Sequence, residues 1–268
     1  MRQRLISAAV LVPVVVILFL LGHPWLEFGI AALAGLAAFE TSRLVRAAGL
    51  PSETWFAVAA AVVAGIGILF LFPNAFFGPP GYVLAAEALT FTAVVVVAAA
   101  MLALRQLDPR AGFSSWVGNV IAALYPSLLV LLTGILASSP TIPEHALLYG
   151  KLDPGRIWIL ILVLTVWSYD SFAYVAGKYH GRGRFMNHIS PNKTWSGVVG
   201  GTAAALLVCT LLVWGAGQQP LAGILMGFAI AVTAQAGDLA ESMLKRAAGV
   251  KDSGKILPGH GGVLDRID

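Results

Sequence analysis

Long apolar runs, separated by short polar or Pro/Gly-rich breaks, fill most of the chain. A membrane-spanning helix needs about 20 mostly apolar residues. Such runs occur at 5–22, 25–40, 54–73, 82–104, 116–137, 157–177, 196–217 and 221–242. Eight spanning helices are therefore expected. The breaks carry turn chemistry: Gly22-His23-Pro24, Pro51, Pro73-Asn74, Gly78-Pro79-Pro80-Gly81, Asp108-Pro109 and the stretch 140–154. The first run, behind Arg2 and Arg4, has the charge of a signal peptide. No small-residue cleavage site leads into a polar domain, however, and another apolar run follows at once, so it reads as the first span. No internal repeat is evident. The expected fold is all-α, a polytopic integral membrane helix bundle.

Composition agrees with lipid as the solvent. Of 268 residues, 58% are hydrophobic and 11% charged, against about 25% charged in soluble domains. Too few charged side chains are present to keep a surface of this size in water, which excludes a soluble globular enzyme. The single cysteine, Cys209, lies in an apolar run and offers neither a disulfide nor a thiolate metal site. With a cytoplasmic N-terminus, all 17 Lys and Arg residues except Lys151 and Arg156 fall on the cytoplasmic side. That asymmetry supports the span count, because one missing or extra helix would scramble it. The net charge of +4 is thus a topology signal, and no nucleic-acid partner is expected.

Polar residues are concentrated late in the chain. Before residue 157 the spans hold few ionisable groups beyond Glu27, Glu40 and Glu87, which read as residues near the membrane interface. The expected organisation is an N-terminal transmembrane scaffold of about five helices at 1–156 and a C-terminal catalytic membrane domain at 157–268. Asp170 sits inside the sixth run, and helical spacing puts it on one face with Tyr174 and Gly177. A carboxylate there is costly in lipid and points to a polar pocket or a partner. Asp238, near the end of the eighth run, shares a helical face with Glu241 or Ser242 and with Lys245. Two inward acids on separate helices resemble the carboxylate supply of an Mg²⁺ site completed by substrate phosphates. The loop from Gly181 through Ser190, Lys193, Thr194 and Trp195 brings basic and hydroxyl groups to the same side, beside the start of a helix. The tail 251–268 mixes Asp252, Asp265, Asp268, Lys251, Lys255, Arg266 and His260 with four glycines. Carboxylates for metal and cations for phosphate oxygens stand together there. Small-xxx-small spacing at Gly197/Gly201 and Gly223/Gly227 allows close helix approach, either within the chain or across a homodimer seam.

The tail makes the chain recognisable. Ser242, Leu244-Lys245-Arg246, Lys251-Asp252, Gly254, Leu257-Pro258, His260-Gly261-Gly262 and Asp265-Arg266-Ile267-Asp268 resemble, position by position, the pattern of the phosphatidate cytidylyltransferases, or CDP-diacylglycerol synthases. Three upstream pieces agree: 170–178, 190–197 and 237–242. Position 196 is Ser where members commonly carry Glu or Gln, so no role is carried over for that side chain. Relatives usually continue beyond the position of Asp268 into another apolar helix, and a ninth helix is expected there.

The resemblance implies an Mg²⁺-dependent nucleotidyltransferase of phospholipid biosynthesis in the bacterial inner membrane, its site facing the cytoplasm. CTP and phosphatidate would be its substrates, and the bilayer its surroundings. Asp238 and Asp265 would anchor the metal, with Asp268 and Asp170 as further ligands and a second metal ion as an open alternative. Lys193, Lys245, Arg246, Lys251 and Arg266 would meet phosphate oxygens, His260 would position phosphate or a metal-bound water, and Ser190, Thr194 and Ser242 would donate hydrogen bonds. Tyr174 would line the substrate side with Asp170. The competing readings are a transporter, which would favour mid-membrane acids and inverted repeats, and another CTP-using membrane enzyme such as a lipid kinase.

Overall fold

Three helix starts in this chain coincide with side chains that satisfy free N–H groups of the first turn. In the computed structural model, which describes residues 2–22, 24–71, 81–137, 142–181, 183–259 and 261–267, Asp108 accepts hydrogen bonds from the N–H groups of Ala111 (3.0 Å) and Arg110 (3.3 Å). Pro109, which has no N–H to lose, then opens the helix. Asp153-Pro154 repeats the device, Asp153 accepting from Arg156 N–H at 3.0 Å. Thr194 caps the next helix through Gly197 N–H at 3.1 Å.

Among the described residues there are eight α-helices and one 3-10 turn: α1 (Arg2–Leu21), α2 (Trp25–Ala47), α3 (Thr54–Leu71), α4 (Gly81–Ala103), α5 (Pro109–Ala137), α6 (Pro154–His180), α7 (Trp195–Gly215), α8 (Pro220–Ala247) and the turn Leu264–Arg266. They match the eight expected spans, with two informative extensions. Asp108-Pro109 is the cap and first residue of α5 rather than a connection. Helix α8 runs on past Ser242 because Asp238, Glu241 and Lys245 continue its helical spacing, and it ends at Ala247, two residues before Gly249, whose φ of +70° suits glycine. Over the described residues, α2, α6, α7 and α8 are long and apolar enough to cross a membrane, with further apolar helix at Val12–Leu21, Thr54–Gly67 and Ala88–Ala103. The chain is an integral membrane helix bundle.

The helices form two compact units. One unit comprises Met1–Ser138 together with Leu244–Ile267; the other is formed by Ser139–Met243. The tail belongs with the N-terminal helices because Leu264 buries against Ala37 and Leu44 of α2, with Leu244, Ala248, Tyr125 and Ile267 around them.

In the first unit, small residues let α2, α3 and α5 approach: Ala34, Ala38, Ala57, Ala61, Ala64 and Ala122 share a core with Val45 and Val130. Buried hydroxyl and amide groups at the α2–α3 connection are paired. Ser42 bonds Ser52 and Thr54, each at 3.1 Å, and Asn119 accepts from Glu53 N–H at 2.7 Å.

In the second unit, both small-xxx-small pairs are used within the chain. A Cβ at Gly201 would strike the Tyr169 ring and backbone of α6 at 2.9 Å, and one at Gly197 would lie 2.9 Å from the Ala173 carbonyl. Gly223 and Gly227 likewise meet α7 at Thr210, Ala205 and Cys209. Gly201→Leu should therefore destabilise the detergent-solubilised protein by about 1–3 kcal/mol or prevent folding. Leu207→Ala, at an exposed α7 position, should change the thermal midpoint little; both are read from thermal unfolding in detergent.

Candidate active site

The tail is organised around one carboxylate. After α8 the chain crosses exposed Lys251 and Asp252, makes an isolated bridge between Leu257 and Gly261, and enters the turn Leu264–Arg266 that carries Asp265. Asp265 Oδ1 accepts from Lys245 Nζ at 2.7 Å. Its Oδ2 accepts from Ser253 N–H and Gly262 N–H, both at 2.8 Å, and from the Ser253 hydroxyl at 3.0 Å. Gly261, at φ +87°, lets the backbone close over this oxygen, where a Cβ would collide. Burial works to raise the Asp265 carboxyl. The Lys245 hydrogen bond, the Gly262 and Ser253 amides and the Lys245 charge outweigh it, holding the group below the usual carboxylate range.

A second carboxylate supports the first. Glu40 of α2 is only 1% exposed, against the expectation of an interface residue. Its Oε2 accepts from Leu264 N–H at 2.8 Å and from the Ser253 hydroxyl at 3.0 Å. A Cβ on Gly254 or Gly262 would collide with this carboxylate. These glycines make room for Glu40. Nothing in the local pattern around Glu40 signals this, because its partners are more than 200 positions away.

The second unit holds its own polar cluster. The loop between α6 and α7 is clipped by backbone bonds from Phe185 N–H to Lys193 O (2.8 Å) and from Trp195 N–H to Gly183 O (3.0 Å), with the Phe185 and Trp195 rings packed edge to face at 4.6 Å. Lys193, on the returning arm, forms an ion pair with Asp238 of α8, whose side chain stays 43% exposed. Ser242 donates to Asp238 Oδ1 at 3.4 Å. Both Asp170 and Asp238 act electrostatically on Tyr169, whose hydroxyl donates to Gln235 Oε1 at 2.7 Å.

Lys193, Ser242 and Asp238 are thus brought together as a group, and Lys245 and Asp265 as another. Asp170 and Tyr174 are exposed on α6, whereas Gly177 packs against the Thr194 hydroxyl at the start of α7. Lys178 lies over the Tyr174 ring at 5.9 Å. Thr194 serves as the α7 cap, and Ser190 closes the turn that leads to Lys193. Lys251, Arg246 and Arg266 are exposed, Arg246 donating to the Val250 carbonyl at 3.1 Å. His260 and Asp268 lie outside the described residues.

Among the described residues no three of His, Cys, Asp and Glu form a ready-made metal cage. Mg²⁺ does not require one, since it binds through one or two carboxylates plus substrate phosphates and water. The partly exposed Asp238 fits that donor set. Asp265, like Asp238, has protein partners at both oxygens, and its side chain is the more buried of the two.

The chain is thus an all-helical membrane protein whose described ion pairs lie at a loop, a helix end and a tail. The profile of the cytidylyltransferase family matches residues 2–268, and the chain belongs to that family. It is 33% identical to the phosphatidate cytidylyltransferase of Synechocystis sp. over 276 residues, covering 99% of this chain and 91% of that protein. It is 30% identical to the Haemophilus influenzae protein of the same name over 285 residues, 100% and 94% of the two chains. Similarity to the Brucella abortus phosphatidate cytidylyltransferase rises to 46% identity, but over 131 residues, so that the match spans 46% of each chain.

Because the folded Asp265 carboxyl titrates lower than an unfolded one, the stability it lends the tail is present above the ordinary carboxylate range and lost as pH falls through the lowered value. Amide exchange at Ser253 and Gly262, corrected for intrinsic rates, should stay slow through about pH 4 and accelerate below it. Lys245→Ala, which strips a partner from a largely buried pair, should weaken docking of the tail by about 3 kcal/mol and expose the same amides at neutral pH.

Proposed function

We propose that this chain transfers the cytidylyl group of CTP to phosphatidate, giving CDP-diacylglycerol and pyrophosphate. Its full-length similarity to proteins named phosphatidate cytidylyltransferase carries the reading. The organised tail, which bears the residues of the resemblance, supports it.

In this reaction an oxygen of the lipid phosphate attacks the α-phosphorus of CTP. A new P–O bond forms there, the bond from the α-phosphorus to the oxygen bridging to the β-phosphorus breaks, and pyrophosphate leaves with that electron pair. Both reactants are anions, so the protein's contribution is positioning and charge neutralisation. Lys193 brings a cation held on a clipped loop, and Lys251, Arg246 and Arg266 bring exposed cations for triphosphate or lipid phosphate. Lys245 keeps Asp265 ionised and the tail docked, so that its neighbours Arg266 and Lys251 are presented from a defined loop. Ser242 and Ser190 supply hydroxyl donors. Asp238 is the carboxylate we assign to Mg²⁺, with Asp170 close by as a further acid; bound there, the ion would neutralise phosphate charge and help align the reacting oxygens. The site lies on the cytoplasmic side of the inner membrane in this reading, as the distribution of Lys and Arg requires.

The test is conversion of labelled CTP and phosphatidate by the purified chain in detergent, with Mg²⁺ or with EDTA. Product formed with Mg²⁺ and lost with EDTA is expected; absence of product in both conditions would overturn the assignment. Asp238→Asn should lower turnover by about 100-fold or more, while helical content and extraction behaviour stay those of the parent chain.

A further inference from the structure

A carboxylate buried in an apolar helix is costly unless its oxygens are satisfied. Glu40, 1% exposed on α2, is only partly satisfied: Oε2 holds Leu264 N–H and the Ser253 hydroxyl, while Oε1 has no hydrogen-bond partner among the described residues. An apolar side chain would suit the neighbouring Ala37 and Leu44 better, so stability alone gives little reason for an acid here. Its contacts suggest the reason. Leu264 N–H opens the turn that carries Asp265 and Arg266. Ser253 Oγ stands 3.0 Å from Glu40 Oε2 and 3.0 Å from Asp265 Oδ2, so the same hydroxyl touches both carboxylates. Gly254 and Gly262, flanking that hydroxyl's loop, leave room that Glu40 fills.

We propose that Glu40 is a positioning residue for the tail: through Leu264 and Ser253 it sets the register in which Asp265, Lys245 and the exposed cations of the loop are presented to the phosphates of the substrates. It touches none of the described basic side chains itself. The proposal rests on the cytidylyl-transfer reading for its kinetic consequence only; the placement of the tail can be read independently of activity.

The experiment compares Glu40→Ala and Glu40→Gln in the full chain. Trypsin cleavage after the exposed Lys251 and Lys255 reports the tail, the thermal midpoint reports the bundle, and steady-state kinetics report function. Glu40→Ala should speed tail cleavage about tenfold or more, as expected for loss of charge-assisted hydrogen bonds, and leave the bundle midpoint near that of the parent. Turnover should fall in parallel, with KM for CTP changing less than about threefold. Glu40→Gln, which keeps an acceptor oxygen of the same reach, should restore protection of the tail to within about threefold of the parent. Gly254→Ala, pressing on Glu40 from the other side, should reproduce the exposed tail and serves if Glu40→Ala does not fold. A tail as protected in Glu40→Ala as in the parent would overturn the proposal. So would equal loss of tail protection and bundle stability in both Glu40 variants. If the parent chain forms no CDP-diacylglycerol, the functional reading fails, while the cleavage comparison still decides whether Glu40 places the tail.

Discussion

A carboxylate removed from water must find its donors inside the protein, and in a chain this apolar few donors are on offer. Asp265 meets that demand with a lysine, two backbone amides and a hydroxyl. These donors come from three points, Lys245 at the end of α8 and Ser253 and Gly262 in the tail, so satisfying one carboxylate ties those points together. Four short hydrogen bonds therefore take the place of the hydrophobic core that an eighteen-residue polar tail lacks. Glu40 ties the arrangement to α2, and the apolar contacts of Leu264 with Ala37 and Leu44 close it.

The same economy governs the second unit by other means. Without a hydrophobic force between helices in lipid, close packing has to do the holding. Gly197 and Gly201 bring α7 against the backbone of α6, and Gly223 and Gly227 bring α8 against α7. Packing of this kind needs no polar atoms, which leaves the scarce ones for the loop and helix ends. Lys193 can then hold Asp238 from a loop that is itself fixed by backbone bonds and an aromatic pair.

Acids and cations stand side by side in both units. In each pair the carboxylate keeps its cation in place. Pairing before substrate arrives also limits the cost of burying each charge, because neither member of Lys193–Asp238 or Lys245–Asp265 is left uncompensated.

Eight helices were legible from the apolar runs, because a bilayer imposes span length directly on sequence and admits no other backbone solution for such runs. Most of the polar residues that matter were legible too, since ionisable groups are so few that each one stands out. Their partners were not. Asp108-Pro109 looked like a break and proved to be a helix cap, a distinction that rests on backbone direction. Glu40 looked like a residue at the membrane interface; folding brings Gly254 and Gly262 against it across more than 200 residues. The sequence by itself determined the solvent, the number of helices and the identity of the charged groups, all of which depend on local composition. Tertiary structure alone decided that the tail joins the N-terminal helices and which donor each buried carboxylate receives, because those choices depend on long-range contacts that no local pattern encodes.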